Sequence, residues 1–401
     1  MNPVAVPVSG AGLNLPLAST PPSPQFLFQG TLTSEEKRPY IEQLHRILAE
    51  CKKRSASDAH ITGGVKTYFR IDNNLTPFSE HSLSTEDAER IALALMTDQQ
   101  QRVFAEKQQI DLAFFTPDNT RYRANVYRQR GSVAFALRRL DDDFRTFNDL
   151  NLPPQLGELA NFPFGLVVVT GATGSGKSTT LATIIHQINL MRSCHIITIE
   201  DPIEHVHKNH KSLIHQRELH CDVPDFASAL KAALREDPDV LLVGEMRDLE
   251  TMRAAITASE TGHLVFSTLH TGDVVGSIGR MVSAFPSDEQ PMIRDQLSRV
   301  LRAVVSQRLV RHKNGKGRVP VIEIMRVNSA LANLIRIGDM RQALTNIQSG
   351  AEEGMLLLEQ SLACLTAAQL ITREEAILWA RDANVYDSRL KALTSRGGWG
   401  R

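Results

Sequence analysis

The chain has 401 residues, 42% of them hydrophobic, a length that calls for two or three domains with ordinary cores. Its 45 Lys and Arg offset 45 Asp and Glu to a formal net charge of zero, so no overall field draws nucleic acid or an anionic membrane. No apolar run approaches the roughly 18 residues of a membrane helix, and the four cysteines (Cys51, Cys194, Cys221, Cys364) form no C-x-x-C pair, which suits free thiols in a reducing cytoplasm.

Residues 1–30 carry no charged side chain and contain prolines 3, 7, 16, 21, 22 and 24. Without Lys or Arg near Met1 they do not read as a signal peptide; a flexible tail is expected, with a docking peptide as the alternative. Ser34-Glu-Glu-Lys, followed by Ile41, Leu44, Ile47 and Leu48, reads as a capped amphipathic helix. Alternating stretches at Ala59–Ile61, Thr67–Ile71, Asp111–Phe115, Arg121–Tyr127 and Val133–Arg138 read as strands. Helices at Ser84–Met96 and Asp98–Lys107 interrupt them. Residues 31–145 are therefore expected to form an α+β domain. The polar stretch that ends in Pro153-Pro154 is expected to be a linker, at 146–155.

Residues 156–385 read as a second domain, regular α/β from Phe164 and ending in helices. A buried strand at Leu166–Val169 runs into Gly171, Ala172, Thr173, Gly174, Ser175, Gly176, Lys177, Ser178 and Thr179, which match G-x-x-x-x-G-K-[ST]. A helix over Thr180–Met191 follows, so strand, glycine loop and helix come in the order that phosphate binding requires. Further strands at Ile196–Ile199, Val240–Val243 and Leu264–Ser267 alternate with helical faces at Phe226–Leu234 and Thr251–Ser259. That alternation predicts a parallel sheet with its chemistry at the strand C-terminal ends. After Asp288 the pattern reads as mostly helical, with helices at Met292–Leu309, Gly354–Ala367 and Thr372–Asp382. Residues 386–401 are expected to be a second flexible tail.

ATP and Mg²⁺ are the expected ligands. Lys177 can reach the β- and γ-phosphates, and the Ser178 hydroxyl suits Mg²⁺. Phosphoryl transfer to water also needs carboxylates at neighbouring strand ends. Two clusters qualify: Glu200, Asp201 and Glu204 after the second strand, and Glu245 after the third. Asp248 and Glu250 read as solvated loop acids. His263 and His270 bracket the fourth strand, the second amid hydroxyl groups and placed to sense a γ-phosphate. Six histidines lie between His195 and His220, without the spacing of a known metal motif.

Taken together the motifs resemble the secretion-superfamily ATPases, and within them the retraction motors of type IV pili. The resemblance runs from about Cys51 to Thr372. It includes Ala56-Ser-Asp-Ala-His60, Arg121-Tyr-Arg-Ala-Asn125, Gln216-Arg-Glu218, Leu234–Asp239, Gly244–Thr251, Thr261–Thr271 and Gln307-Arg-Leu309. It implies a RecA-like ATPase core behind a smaller PAS-like α+β domain, with a helical C-terminal part. It further implies Glu204 as general base, Glu245 in the Mg²⁺ shell, His263 and His270 as γ-phosphate sensors, and Arg123 and Arg138 as arginine fingers. A homohexamer on the cytoplasmic face of the inner membrane, working with a platform protein and without nucleic acid, completes the implied picture. Guanidinium groups suit phosphate; the other arginines nearby, Arg121, Arg128, Arg130 and Arg139, read mostly as a solvated basic face.

Two features depart from the retraction pattern. Both tails are additional, and Ser329–Arg336 matches the C-terminal retraction motif only in Asn333-Leu-Ile-Arg336. The four-cysteine zinc insertion common in assembly ATPases is missing, which favours the retraction branch. A motor of conjugative, type IV or type II secretion is the alternative. A DNA translocase is the more distant one, since its pore would need basic and aromatic residues and aromatics are 5% of this chain.

Overall fold

The computed structural model describes residues 33–71, 74–118, 120–140 and 144–395. The chain divides after Leu140 into two compact units. The expected tail at 1–30 lies outside the described residues.

The first unit is α+β, as expected. Helix α1 (Ser34–Lys53) is capped one residue before the anticipated Ser34: Thr33 and Glu36 form a reciprocal capping box. Six antiparallel strands follow: β1 (Asp58–Thr62), β2 (Lys66–Ile71), β3 (Asn74–Ser82), β4 (Gln109–Phe115), β5 (Arg121–Gln129) and β6 (Ser132–Arg139). They lie in the order β3-β2-β1-β6-β5-β4. Helices α2 (Thr85–Leu95) and α3 (Asp98–Lys107) join α1 in burying Leu44, Leu48, Ile91 and Phe104 against Ile61, Phe135 and Leu137. Strand β3 was not anticipated. It is a polar edge strand holding Pro77, a residue that edges tolerate and central strands do not.

The stretch read as a linker belongs to the second unit. Leu152 is buried there, and Phe147 and Leu150 pack against the same core beside α4 (Gln155–Glu158). Its polar residues and prolines hid three apolar anchors.

The second unit is built on seven strands: β7 (Gly165–Thr170), β8 (His195–Glu200), β9 (Leu213–Glu218), β10 (Val240–Val243), β11 (Leu264–Leu269), β12 (Leu301–Arg311) and β13 (Arg318–Arg326). The order is β13-β12-β7-β11-β10-β8-β9, parallel throughout except for β13. β7 and β11 are buried at every residue, which explains their unbroken apolar runs. One face carries α5 (Lys177–Met191), with Leu181, Ile184, Ile185 and Ile188 inward. The other carries α6 (Phe226–Ala233), α7 (Leu249–Glu260), α8 (Val274–Ser283) and α9 (Gln290–Val300). The C-terminal ends of β7, β11, β10 and β8 therefore share one rim.

Three expectations for the C-terminal part need correcting. The helix expected over Met292–Leu309 stops at Val300, and the chain continues as β12, hairpinned to β13. Leu, Arg and Gln favour a helix locally, but Val304, Val305 and Val310 are buried in a sheet, where two-sided burial erases any period. Beyond the hairpin the chain is helical: α10 (Ser329–Ile337), α11 (Ala343–Ser349), α12 (Leu358–Ala367), α13 (Arg373–Trp379) and α14 (Ala383–Ser395). The α12 helix begins at Leu358 rather than Gly354, because Leu356 still bridges to Ile324 at the sheet edge. The tail expected from 386 is instead helix α14 as far as Ser395. Tyr386 is fully buried, its hydroxyl 3.0 Å from Thr366 Oγ1, and Leu390 and Leu393 pack against the same cluster. Residues 396–401 lie outside the described residues.

Candidate active site

The rim is organised by the loop after β7. Gly171 and Gly176 have φ of +146° and +89°, conformations that side chains disfavour. Gly176 caps α5 without a side-chain hydrogen bond, leaving first-turn N–H groups for an anion. Ala172, Thr173, Gly174 and Ser178 are exposed, Thr179 is partly so, and Ser175 is buried. Lys177 is 8% exposed, and its Nζ donates to the carbonyls of Gly171 at 2.7 Å and Ala172 at 3.1 Å. Burial lowers its pKa, while the charges of Glu245 and Glu204 oppose that shift. Both acids therefore act on this ammonium group.

The acidic loop after β8 is held from the edge strand. Glu200 accepts from Thr198 Oγ1 at 2.6 Å and from Gln216 Nε2 at 3.1 Å, and burial pushes its carboxyl above the ordinary range. Gln216 Nε2 also donates to His205 O at 2.8 Å, and its Oε1 accepts the His207 N–H at 2.7 Å. Glu218 Oε2 accepts the Ile203 N–H at 3.1 Å. With the turn fixed in this way, Glu204 is left exposed. Glu200 is held by Thr198 and Gln216, whereas Asp201 and Glu204 are both exposed to water. Gln216 and Glu218 carry no role in the sequence alone; their only signal is two polar side chains on the polar edge strand β9.

Glu245, at the end of β10, is mostly buried between Arg247 and His270. Arg247 Nε stands 2.5 Å from Oε1, and His270 Nε2 stands 3.2 Å from Oε2. His270 is exposed at the end of β11. The loop behind it is tied down: Thr170 Oγ1 donates to Thr271 O at 2.7 Å, and Ser306 and Arg308 of β12 donate to Gly272 O at 3.1 and 2.9 Å. Hydroxyl and carboxylate oxygens at Ser178 and Glu245 are the hard donors that Mg²⁺ prefers, directly or through water, so the residues present fit that ion.

His263 does not join this group. The register sets Leu264 beside Gly165 and Leu269 beside Thr170, so His263 lies at the opposite end of the strands from the loop. Six residues of strand separate it from His270, roughly 20 Å at the usual rise. Its Nδ1 lies 3.0 Å from Ala258 O and 3.1 Å from Thr261 Oγ1, at the end of α7. The two histidines bracket the strand, and the strand's own length keeps them apart.

In the first unit, Arg123 and Arg138 are cross-strand neighbours on β5 and β6. Both are exposed; Arg138 Nε pairs with Asp58 Oδ1 at 2.9 Å, whereas Arg123 makes no ion pair among the described residues. The basic face is less solvated than expected. The Arg128 side chain is 7% exposed and paired with Glu89 at 2.6 Å, and Arg121 is 8% exposed, lying over the Phe115 ring. Asp248 caps α7 through the Thr251 N–H at 2.8 Å, and Glu250 pairs with Lys231 at 3.5 Å, both structural. From the histidine-rich segment His207 stacks on Phe144, as does His186 of α5, each with its ring centroid 4.4 Å from that of Phe144. Among the described residues no group of three or more His, Cys, Asp or Glu could hold a metal ion, and no helix is long and apolar enough to cross a membrane.

Comparison with known proteins agrees with this fold. Residues 33–377 match the family described as type II/IV secretion system protein. The chain is 42% identical over 330 residues to the type IV pilus retraction ATPase PilT of Pseudomonas aeruginosa, covering 82% of this chain and 96% of that one. It is 43% identical over 307 residues to a twitching motility protein of Neisseria gonorrhoeae, covering 77% and 82% of the two chains. The crystal structure of the pilus retraction motor PilT with bound ADP superimposes with a TM-score of 0.80 at 42% identity, covering 86% of this chain and 99% of that one.

Proposed function

The chain belongs to the type II/IV secretion system protein family, and from that premise we propose that it is an ATPase motor that retracts a type IV pilus. The reaction is hydrolysis of ATP to ADP and phosphate, coupled to movement of one unit of the chain against the other. The observation that carries it is the meeting, on one rim, of Lys177 with the charges of Glu204 and Glu245 and with His270 bonded to Glu245.

In this reading the loop N–H groups and Lys177 hold the phosphates, and Glu204 orients the attacking water and accepts its proton. Mg²⁺, held by Ser178 and by Glu245 through water, would supply positive charge against the phosphate oxygens. His270 reports on the γ-phosphate through its bond to Glu245. Arg123 offsets charge on the phosphates, and Arg138 does so on leaving Asp58. The working form is a homohexamer on the cytoplasmic face of the inner membrane, docked on the platform protein of the pilus machine.

Two assays test this. Purified protein should release phosphate from ATP, and a strain lacking the gene should carry more surface pili than its parent. A strain that loses its pili instead would assign the chain to assembly, and unchanged piliation would point to a secretion motor.

A further inference from the structure

The two glycines that bound the phosphate loop face the same residue. Gln307, on β12, is 2% exposed. A Cβ on Gly171 would stand 2.2 Å from the Gln307 carbonyl oxygen, and one on Gly176 would stand 2.8 Å from its Nε2. Gly171 therefore needs glycine for space as well as for backbone angle, and a side chain at Gly176 would push on the Gln307 carboxamide. Both ends of the carboxamide are engaged. Nε2 donates to Ser175 O at 2.8 Å, and Oε1 accepts from Thr180 Oγ1 at 2.7 Å. These partners fix which end is which, because a carbonyl oxygen only accepts.

We propose that Gln307 is a positioning residue of the phosphate loop, aiming the Gly176 N–H at bound phosphate. The inference rests on reading this loop as a nucleotide site. In a trans peptide, C=O and the following N–H lie in one plane and point in opposite directions. Gln307 holds the Ser175 carbonyl toward β12, so the N–H of the same peptide is turned the other way, toward the exposed side of the loop. Thr180, in the first turn of α5, fixes the far end of the carboxamide. Loop and helix are thus braced against one strand. The neighbours of Gln307 on that strand, Ser306 and Arg308, hold Gly272 O behind His270. Three consecutive residues of β12 thereby set both the loop that binds phosphate and the loop that senses it.

The test compares Mg-ADP affinity, by calorimetry, in the parent, Gln307→Met, Thr180→Val and Thr180→Ser, with thermal midpoints measured without nucleotide. Gln307→Met and Thr180→Val should each weaken ADP binding about five- to tenfold, the weight of one hydrogen bond. Thr180→Ser keeps the hydroxyl and should bind as the parent does. A merely structural prop would lower the midpoints and leave the affinity of the folded protein unchanged, and that result overturns the proposal. If Gln307→Met does not fold, the Thr180 pair decides in the same way. A parent that does not bind ADP removes the nucleotide reading itself, and the proposal with it; a parent that binds alongside unaffected variants removes the proposal alone.

Discussion

His270 Nε2 stands 3.2 Å from Glu245 Oε2, a bond that joins the ends of two adjacent parallel strands on the rim that carries Lys177. It links the exposed imidazole, free to meet a phosphate, to a carboxylate that already acts on the lysine. His270→Ala should therefore slow ATP turnover by about ten- to a hundredfold, the range for one charged hydrogen bond made in the transition state. His263→Ala, at the other end of the strand, should leave ATP affinity unchanged. Steady-state phosphate release and fluorescent-nucleotide binding check the two.

Glu200→Gln should raise stability at neutral pH. Burial raises the carboxyl's pKa in the folded state, so the folded protein binds the Glu200 proton more tightly than the unfolded chain. The parent consequently loses stability as pH rises from the ordinary carboxyl range through the raised folded value. A neutral amide still accepts from Thr198 and Gln216 and escapes that loss. The gain in thermal midpoint should be largest near pH 7 and disappear below about pH 4, the ordinary carboxyl range. A midpoint difference independent of pH would contradict the assignment.

Arg381 is paired with Glu323, which is 2% exposed, and with Glu359, which is 4% exposed. Arg381→Met should destabilise the second unit by about 3–5 kcal/mol, because it leaves buried carboxylates without their cation. Urea denaturation measures it. A loss below about 1 kcal/mol, the level of an exposed pair, would mean that this cluster is solvated.

Arg123→Ala should bind ATP normally and turn it over slowly. Arg138→Ala should also disturb the first unit, since Asp58 loses its closest cation. Nucleotide affinity, turnover and thermal midpoint together separate the two residues. Turnover equal to that of the parent in Arg123→Ala would remove it from the mechanism.

Where a segment's chemistry is local, it was legible in the sequence. The phosphate loop depends on its own glycines and on the strand before it, and the acids at 204 and 245 on the strands they follow. What escaped depends on partners far along the chain. β12 reads as helix until β7 and β13 are beside it. β9 is a polar edge strand with little apolar signal, yet it supplies Gln216 and Glu218 to the acidic loop. Gln307 becomes meaningful only when β12 lies against a loop more than a hundred positions earlier. Tyr386 looks like part of a frayed end until Thr366 and its apolar cluster surround it. His263 matched a pattern, but no pattern states which end of a strand faces the phosphate loop.

Glu204→Gln, assayed for nucleotide binding and turnover together, tests the central claim most directly. Losing the group that orients the water and takes its proton should cut phosphate release by about two to four orders of magnitude while ATP affinity stays near that of the parent. Undiminished phosphate release from the purified Glu204→Gln protein would contradict the account.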